Sequence, residues 1–355
     1  MLLSDIREMP KDNRLLSRPE LSKKYQVSRT TIDKAISELI GEGYLYAKDG
    51  SGTYVAEIAN SSRLTEVADY FASWGVILPD IRSDTYPGIL RGIEDIANAN
   101  EINIIICNSD NDEDKQNDYL RKLICSRVSG VIMVPAVFSS NRTDIFNQLE
   151  AAGIPLVFCN RTVNDVEAPR VVSNNFYGAY VATRHLISNG FRKIAYITRS
   201  WYSTAMERFQ GYTSALEESG IRLGESYYTF PADQNGIVDE VNAIRTLIGG
   251  KSFFDAVLCF NDSIAKNIYW ELVNAGYQPG AGFGLVGYDN THICEQLPVK
   301  LTSVRFKTYE IGSEAAKLML RMMRGEMIHK SKAIVLQPTL EIRESSLKNN
   351  AVRTL

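Results

Sequence analysis

Residues Val27–Lys34, Val-Ser-Arg-Thr-Thr-Ile-Asp-Lys, bring three short hydroxyls and two cations into one run. Such a set suits phosphate oxygens and base edges in a DNA major groove. The run has to ride on a helix. Ser28 is placed to cap it by accepting from a free backbone N–H. Ile32, Ala35, Ile36, Leu39 and Ile40 recur at helical spacing on a face that must be buried. Ser28, Arg29, Thr30, Thr31, Asp33 and Lys34 are then the candidate DNA contacts. The plain alternative is a helix whose polar face is only solvated.

The elements around this run read as helix, turn, helix, hairpin. Ser17 precedes a short amphipathic helix with Leu21 and Tyr25 on its inner face. The second helix starts near Arg29 and stops at Gly41 or Gly43. Tyr44–Lys48 and Thr53–Ala56 read as strands joined by Asp49-Gly50-Ser51-Gly52, and Asp-Gly is a strong tight-turn signal. This is a winged helix-turn-helix over residues 1–57. Gly50, Ser51 and Gly52 at the wing tip have little side chain and can approach a minor groove closely.

Leu15–Ala56 resembles the DNA-binding domain of the GntR family of bacterial transcription regulators. The matching pieces are Leu15-Leu16-Ser17 with Glu20-Leu21, Val27–Thr31, Ala35, Leu39, Gly43 and Gly50–Val55. Three departures stand out. Pro19 occupies the place of an arginine that contacts the DNA backbone in the family, and Arg18 beside it is the substitute. Asp33 occupies the place of a common recognition-helix arginine. It either accepts from a cytosine amino group or repels phosphate. The family's first helix is longer than Leu2–Glu8, so the chain is expected to begin inside that helix.

Composition limits the alternatives. The chain has 355 residues, 45% hydrophobic and 23% charged, which suggests two or three soluble domains. No apolar run approaches the roughly 20 residues of a membrane span. The opening residues lack the long apolar core of a signal peptide, so a cytoplasmic location is expected. Five scattered cysteines read as reduced, mostly buried thiols. Net charge is −3, and residues 1–57 hold nine Lys/Arg against nine Asp/Glu. DNA affinity must therefore come from where the cations sit, not from an overall positive charge.

Beyond a linker at residues 58–73, strands and helices alternate from Trp74 onward. That alternation predicts an α/β fold with parallel, doubly wound sheets in two lobes. Ligands in such folds bind at strand carboxyl ends. The residues expected there are Asp80, Ser83–Tyr86, Asn160-Arg161, Trp201–Arg208, Asn261-Asp262 and Asp289-Asn290. Amides, carboxylates, an arginine and aromatics are the chemistry of sugar recognition.

Residues Trp74–Ser345 resemble the LacI/GalR effector domain, which shares the periplasmic-binding-protein fold. Matching stretches include Gly75–Pro79, Arg127–Ile132, Ile154–Val157, Val171–Asn175, Gly190–Tyr196, Glu207-Arg208, Phe260–Asp262, Val286–Asp289 and Leu301–Val304. The resemblance implies lobe one at about residues 74–160 and 293–323, lobe two at about 162–291 and 325–345, and a tail at 346–355. It also implies an effector pocket. Thr85 and Tyr86 stand on a first-lobe loop, and Arg161 at the first crossover. Arg208 and Tyr212 line lobe two, Tyr212 as a stacking face. Asn261 and Asp289 bond ring hydroxyls. Phe306 gives a more apolar ligand edge than the family usually has. A structural ion pair is the alternative for Arg161 and Asp289. Trp201 is added from its strand-end position, and packing against the lobe is its equal alternative.

Other signals fail on their spacing. Gly250-Lys251-Ser252 has Arg245 where a phosphate loop needs glycine. Asp110–Asp114 has Lys115 and Arg121 where a calcium loop needs glycine and glutamate, so it reads as a helix start. His292 with Cys294 is a weak metal pair. No catalytic constellation, metal or cofactor is expected. A GntR-type reader joined to a LacI-type sensor resembles the arabinose-repressor subfamily. It implies a repressor released from a palindromic operator by a monosaccharide such as arabinose or fucose, acting as a homodimer without membrane contact. A transport-type binding protein and a sugar-modifying enzyme are the competing classes. The winged helix opposes the first, and the absence of catalytic residues opposes the second.

Overall fold

The computed structural model describes residues 2–7, 9–41, 43–48, 50–56, 72–136, 143–198, 203–224, 228–229, 242, 245 and 254–348. The chain divides into two units, residues 1–72 and 73–355. Residues 58–71 of the expected linker, Trp201 and the Gly250-Lys251-Ser252 run lie outside the described residues.

In the first unit, α1 (Leu2–Arg7), α2 (Arg18–Tyr25) and α3 (Arg29–Gly41) precede an antiparallel hairpin of β1 (Leu45–Lys48) and β2 (Gly52–Val55). The helical spacing of α3 buries Ile32, Ile36 and Leu39 against Ile6, Leu15, Leu21, Leu45 and Val55. At the start of α2, the Glu20 carboxylate accepts from the Ser17 backbone N–H (2.8 Å) and hydroxyl (2.6 Å).

The second unit holds two sheets. The first contains β3 (Ser73–Leu78), β4 (Asn103–Asn108), β5 (Gly130–Met133), β6 (Leu156–Cys159) and β7 (Arg170–Ser173), with α4 (Tyr86–Asn98), α5 (Glu113–Cys125) and α6 (Asp144–Ala151) between them. The second contains α7 (Asn175–Ser188), β8 (Ile194–Ile197), α8 (Ser203–Glu218), β9 (Tyr228–Thr229), β10 (Ala256–Cys259), α9 (Asp262–Asn274), β11 (Gly284–Tyr288), α10 (Ile293–Gln296) and β12 (Thr302–Arg305). The chain then returns to lobe one with α11 (Thr308–Met323) and β13 (Ala333–Leu336). It ends in lobe two with β14 (Thr339–Glu341).

The first sheet runs β13-β7-β6-β5-β3-β4, all parallel. The second runs β14-β12-β11-β10-β8-β9, parallel except for the β12–β14 pair. Each lobe has its own apolar core, one around Ile77, Leu120, Met133 and Phe158, the other around Val257, Ile264, Leu285 and Leu301.

The lobe boundaries differ from the expectation. β7 pairs with β6 and therefore belongs to lobe one, not lobe two. β12 pairs with β11, which puts residues 293–305 in lobe two. β13 pairs with β7, which moves residues 333–336 to lobe one. The crossings fall at Asn174, between Arg305 and Thr308, and between Leu336 and Thr339. Arg161 accordingly stands on lobe one, before the first crossing. Alternation of strand and helix carries the order of elements but not the sheet each strand joins. The three reassigned strands, β7, β12 and β13, are also only four residues long.

Candidate functional site

On the first unit, Ser28 Oγ accepts from the Thr31 N–H at 3.2 Å and lies 2.8 Å from the Thr31 hydroxyl. The cap thus forms, and it draws the Thr31 side chain back toward Ser28. Arg29, Thr30 and Lys34 are exposed. Arg18 Nε lies 3.4 Å from Asp33 Oδ1, and Arg18 Nη1 donates to Thr53 Oγ1 at 2.9 Å. At the wing, the Ser51 N–H closes onto Lys48 O at 2.9 Å, and the Ser51 and Tyr54 hydroxyls are 2.5 Å apart.

Gly52 has φ +136°, and a Cβ there would lie 2.9 Å from Arg14 Nε. The glycine is needed by its backbone as well as by any close approach to DNA. It also places Arg14 beside the wing. Sequence reasoning overlooked Arg14, since only the bridge between Arg14 and Tyr54 brings it there.

In the second unit the expected residues gather at strand carboxyl ends. Thr85 precedes α4, Arg161 follows β6, Asn261 follows β10, Asp289 follows β11 and Phe306 follows β12. Arg208 is buried on α8. Its Nε donates to Asn175 Oδ1 (3.0 Å), its Nη1 to Phe260 O (2.5 Å), and its Nη2 lies 3.8 Å from Asp289 Oδ1. The guanidinium carbon sits 3.5 Å from the Tyr288 ring centroid. Thr85 Oγ1 donates to Asp289 Oδ2 at 3.2 Å, which links lobe one to lobe two. Beside it, His292 Nδ1 is 3.4 Å from Asp84 Oδ1.

Burial pushes the Asp289 carboxyl up to about 7, with the Arg208 charge pulling the other way. Burial also raises Glu207, against its hydrogen bond from Asn175. On lobe one, Arg161 donates to Asn111 Oδ1 (3.1 Å) and to the Tyr86 hydroxyl (2.8 Å). Asn261 Oδ1 accepts the Ile264 N–H at 2.9 Å and so caps α9. Phe306 is buried.

Tyr212 is a correction. It is fully buried, stacked on Tyr196 with ring centroids 5.0 Å apart, and its hydroxyl donates to Ile194 O at 2.7 Å. It lies in the lobe-two core and offers no face to a ligand. It shares a face of α8 with Arg208, but one turn farther along it reaches Ile194 at the amino end of β8, away from the strand carboxyl ends. Asp262 is likewise structural, accepting from Ser303 Oγ (2.6 Å) and from the Thr291 N–H (2.7 Å).

Glu207 was expected within the Trp201–Arg208 stretch; Asn111, Asn175 and Tyr288 join the cluster without having been assigned to the pocket, because their partners lie far along the chain. Buried side-chain oxygens at or just past strand ends with no partner among the described residues include Asn160 Oδ1, Ser173 Oγ, Thr198 Oγ1 and Asn290 Oδ1. Unpaired buried oxygens are costly, and hydroxyl donors from a ligand would satisfy them.

Comparison with known proteins agrees with this division. Residues 11–55 match the model of bacterial regulatory proteins of the gntR family, and residues 183–346 match a periplasmic binding protein-like domain. An arabinose metabolism transcriptional repressor of Halalkalibacterium halodurans is 26% identical, over 93% of this chain and 90% of its own length. A protein of the same description from Geobacillus stearothermophilus is 24% identical, over 96% and 93%. A solved LacI family transcriptional regulator from Enterococcus faecium with bound ribose is 27% identical, with a TM-score of 0.67, covering 78% of this chain and 100% of that one. Among the described residues no helix is long and apolar enough to cross a membrane.

Proposed function

The chain joins a DNA-binding module of the gntR family of bacterial regulatory proteins to a periplasmic-binding-protein-like domain, and from that premise we propose that it is a transcriptional repressor released from its operator by a monosaccharide. The observation that carries the effector reading is the Thr85–Asp289–Arg208 chain of contacts between the lobes. A carboxylate held by an arginine accepts from ring hydroxyls, while Asn261 and Arg161 supply donors. Sugar bound there engages both lobes and favours their closed arrangement. A coupling of about 1–3 kcal/mol would change operator affinity roughly 5–150-fold.

Arabinose, fucose or a related monosaccharide is the proposed effector. The arabinose and ribose in the names of similar proteins support a sugar of this size. The residues proposed to serve DNA binding, by contact or by positioning a contact, are Arg18, Ser28, Arg29, Thr30, Thr31, Asp33, Lys34, Gly50, Ser51 and Gly52. A homodimer would place two α3 helices on the halves of a palindrome. Exposed apolar side chains, Ile105 and Ile106 on the edge strand β4 and Trp270 and Val273 on α9, are available to a dimer contact. The protein would act in the cytoplasm, where the DNA is.

The test is a thermal-shift screen over pentoses, hexoses and their phosphates, followed by operator binding with and without each stabilising sugar. A neutral monosaccharide that both raises Tm and weakens operator binding supports the reading. A screen in which only non-carbohydrate ligands stabilise the protein defeats it.

A further inference from the structure

Arg18 is the point where three elements of the winged-helix unit meet. It opens α2, its Nε faces Asp33 of α3 at 3.4 Å, and its Nη1 donates to Thr53 of β2 at 2.9 Å. Thr53 is only 3% exposed, so its end of the bracket is fixed within the fold. The Arg18 and Asp33 side chains remain 34% and 51% exposed. An ion pair this open contributes little to stability. Its effect is to hold a long side chain at two points, so that less rotamer freedom remains to be lost on binding. Arg18 Nη2 has no partner among the described residues.

Asp33 needs explaining on other grounds too. It sits on the exposed face of α3 between Arg29 and Lys34, in a unit with no excess of positive charge. A bare carboxylate there would oppose a polyanion. Paired with Arg18, it is neutralised locally and becomes a bracket.

We propose that Asp33 is a positioning residue that, with Thr53, presents Arg18 to a DNA phosphate. The backbone-contacting cation is thereby supplied by the first residue of α2, while α3 supplies the bracket. This rests on the reading of the module as a DNA binder. The phosphate would be met by Nη2 and the free proton of Nη1, the edge that neither Asp33 nor Thr53 occupies. One edge of a guanidinium suits a phosphate oxygen pair, and such contacts set register on the duplex.

The experiment uses a duplex enriched from a random-sequence pool by the unmodified full-length protein. Affinity is measured across a salt series for that protein and for Arg18→Ala, Asp33→Asn and the double variant, each checked for an unchanged melting temperature. Loss of one phosphate contact in Arg18→Ala should weaken binding about tenfold and make the log–log salt slope shallower by about one. Asp33→Asn should weaken binding several-fold when Arg18 is present. It should not weaken it further in the Arg18→Ala background.

An Arg18→Ala protein with full affinity and slope would overturn the proposal. So would an Asp33→Asn protein that binds more tightly, since Asp33 would then only repel. Equal weakening by Asp33→Asn in both backgrounds would make Asp33 a base reader in its own right and would also overturn it. Failure of the unmodified protein to enrich any duplex would instead remove the DNA-binding reading itself.

Discussion

Thr85 Oγ1 donates to Asp289 Oδ2 at 3.2 Å, and the two residues belong to different lobes. The contact makes Asp289 the meeting point of the cleft, with Arg208 Nη2 3.8 Å from its other oxygen. Asp289→Asn keeps the shape but replaces one acceptor with a donor, and it takes the negative charge from beside the buried guanidinium. Sugar affinity is expected to fall by at least about tenfold, the loss that follows when a buried charged hydrogen-bond partner is removed. Operator binding without sugar should be retained. Calorimetry on the stabilising sugar, with a gel shift on the same sample, measures both.

The raised Asp289 carboxyl also gives a signed pH effect. Its folded value of about 7 lies above the 3.8 of an ordinary aspartate, because burial disfavours the charged form. The folded protein therefore holds a proton there that the unfolded chain has lost between those two values. This group's contribution to stability is full below about pH 4 and is lost as pH rises to about 7. Asp289→Asn removes that dependence. Its Tm relative to the unmodified protein should rise between pH 5 and pH 8. A difference that stays flat across the range would contradict the buried, proton-holding carboxyl.

Arg161 reaches Asn111 and the Tyr86 hydroxyl from the end of β6. Arg161→Ala is expected to abolish the sugar response while leaving operator binding intact. Unchanged sugar affinity by calorimetry would remove Arg161 from the pocket.

Tyr212 makes the opposite prediction. Its hydroxyl bonds Ile194 O inside the lobe-two core. Tyr212→Phe should cost about 1 kcal/mol of stability through the lost hydrogen bond and the unpaired carbonyl. Sugar affinity should not change. A large loss of sugar affinity with unchanged stability would return Tyr212 to the ligand.

Gly52→Ala tests the wing. The substitution forces a side chain onto φ +136° and toward Arg14 Nε. A cost of about 1–3 kcal/mol is expected, the usual range for a non-glycine residue held in such a backbone region. Operator affinity should drop with it. Chemical denaturation of the protein alongside a gel shift separates the two effects.

The contrast between Tyr212 and Arg208 indicates what could be read from sequence. The reading helix was legible because Ile32, Ile36 and Leu39 recur at the period of a helix and Ser28 precedes them. The strand-end positions of Arg161, Asn261 and Asp289 were legible because each follows a short apolar run. Sheet membership was not, since β7 and β13 look alike whichever lobe they join. Arg208 acquires its environment from Asn175, Phe260 and Asp289, which meet only in the fold. The Arg18–Asp33 pair is hidden for the same reason. Each charge was visible alone, and only the packing of α2 on α3 brings them together.

The central claim is that one molecule couples sugar binding in the cleft to DNA binding at α3. The most direct measurement is operator affinity of the full-length protein with and without a saturating monosaccharide, made in parallel on Asp289→Asn. The expected result is a loss of affinity of about 5–150-fold on adding sugar to the unmodified protein, and in the variant the same loss only at a sugar concentration at least about tenfold higher. A sugar that binds the unmodified protein tightly yet leaves its operator affinity unchanged would contradict the claim.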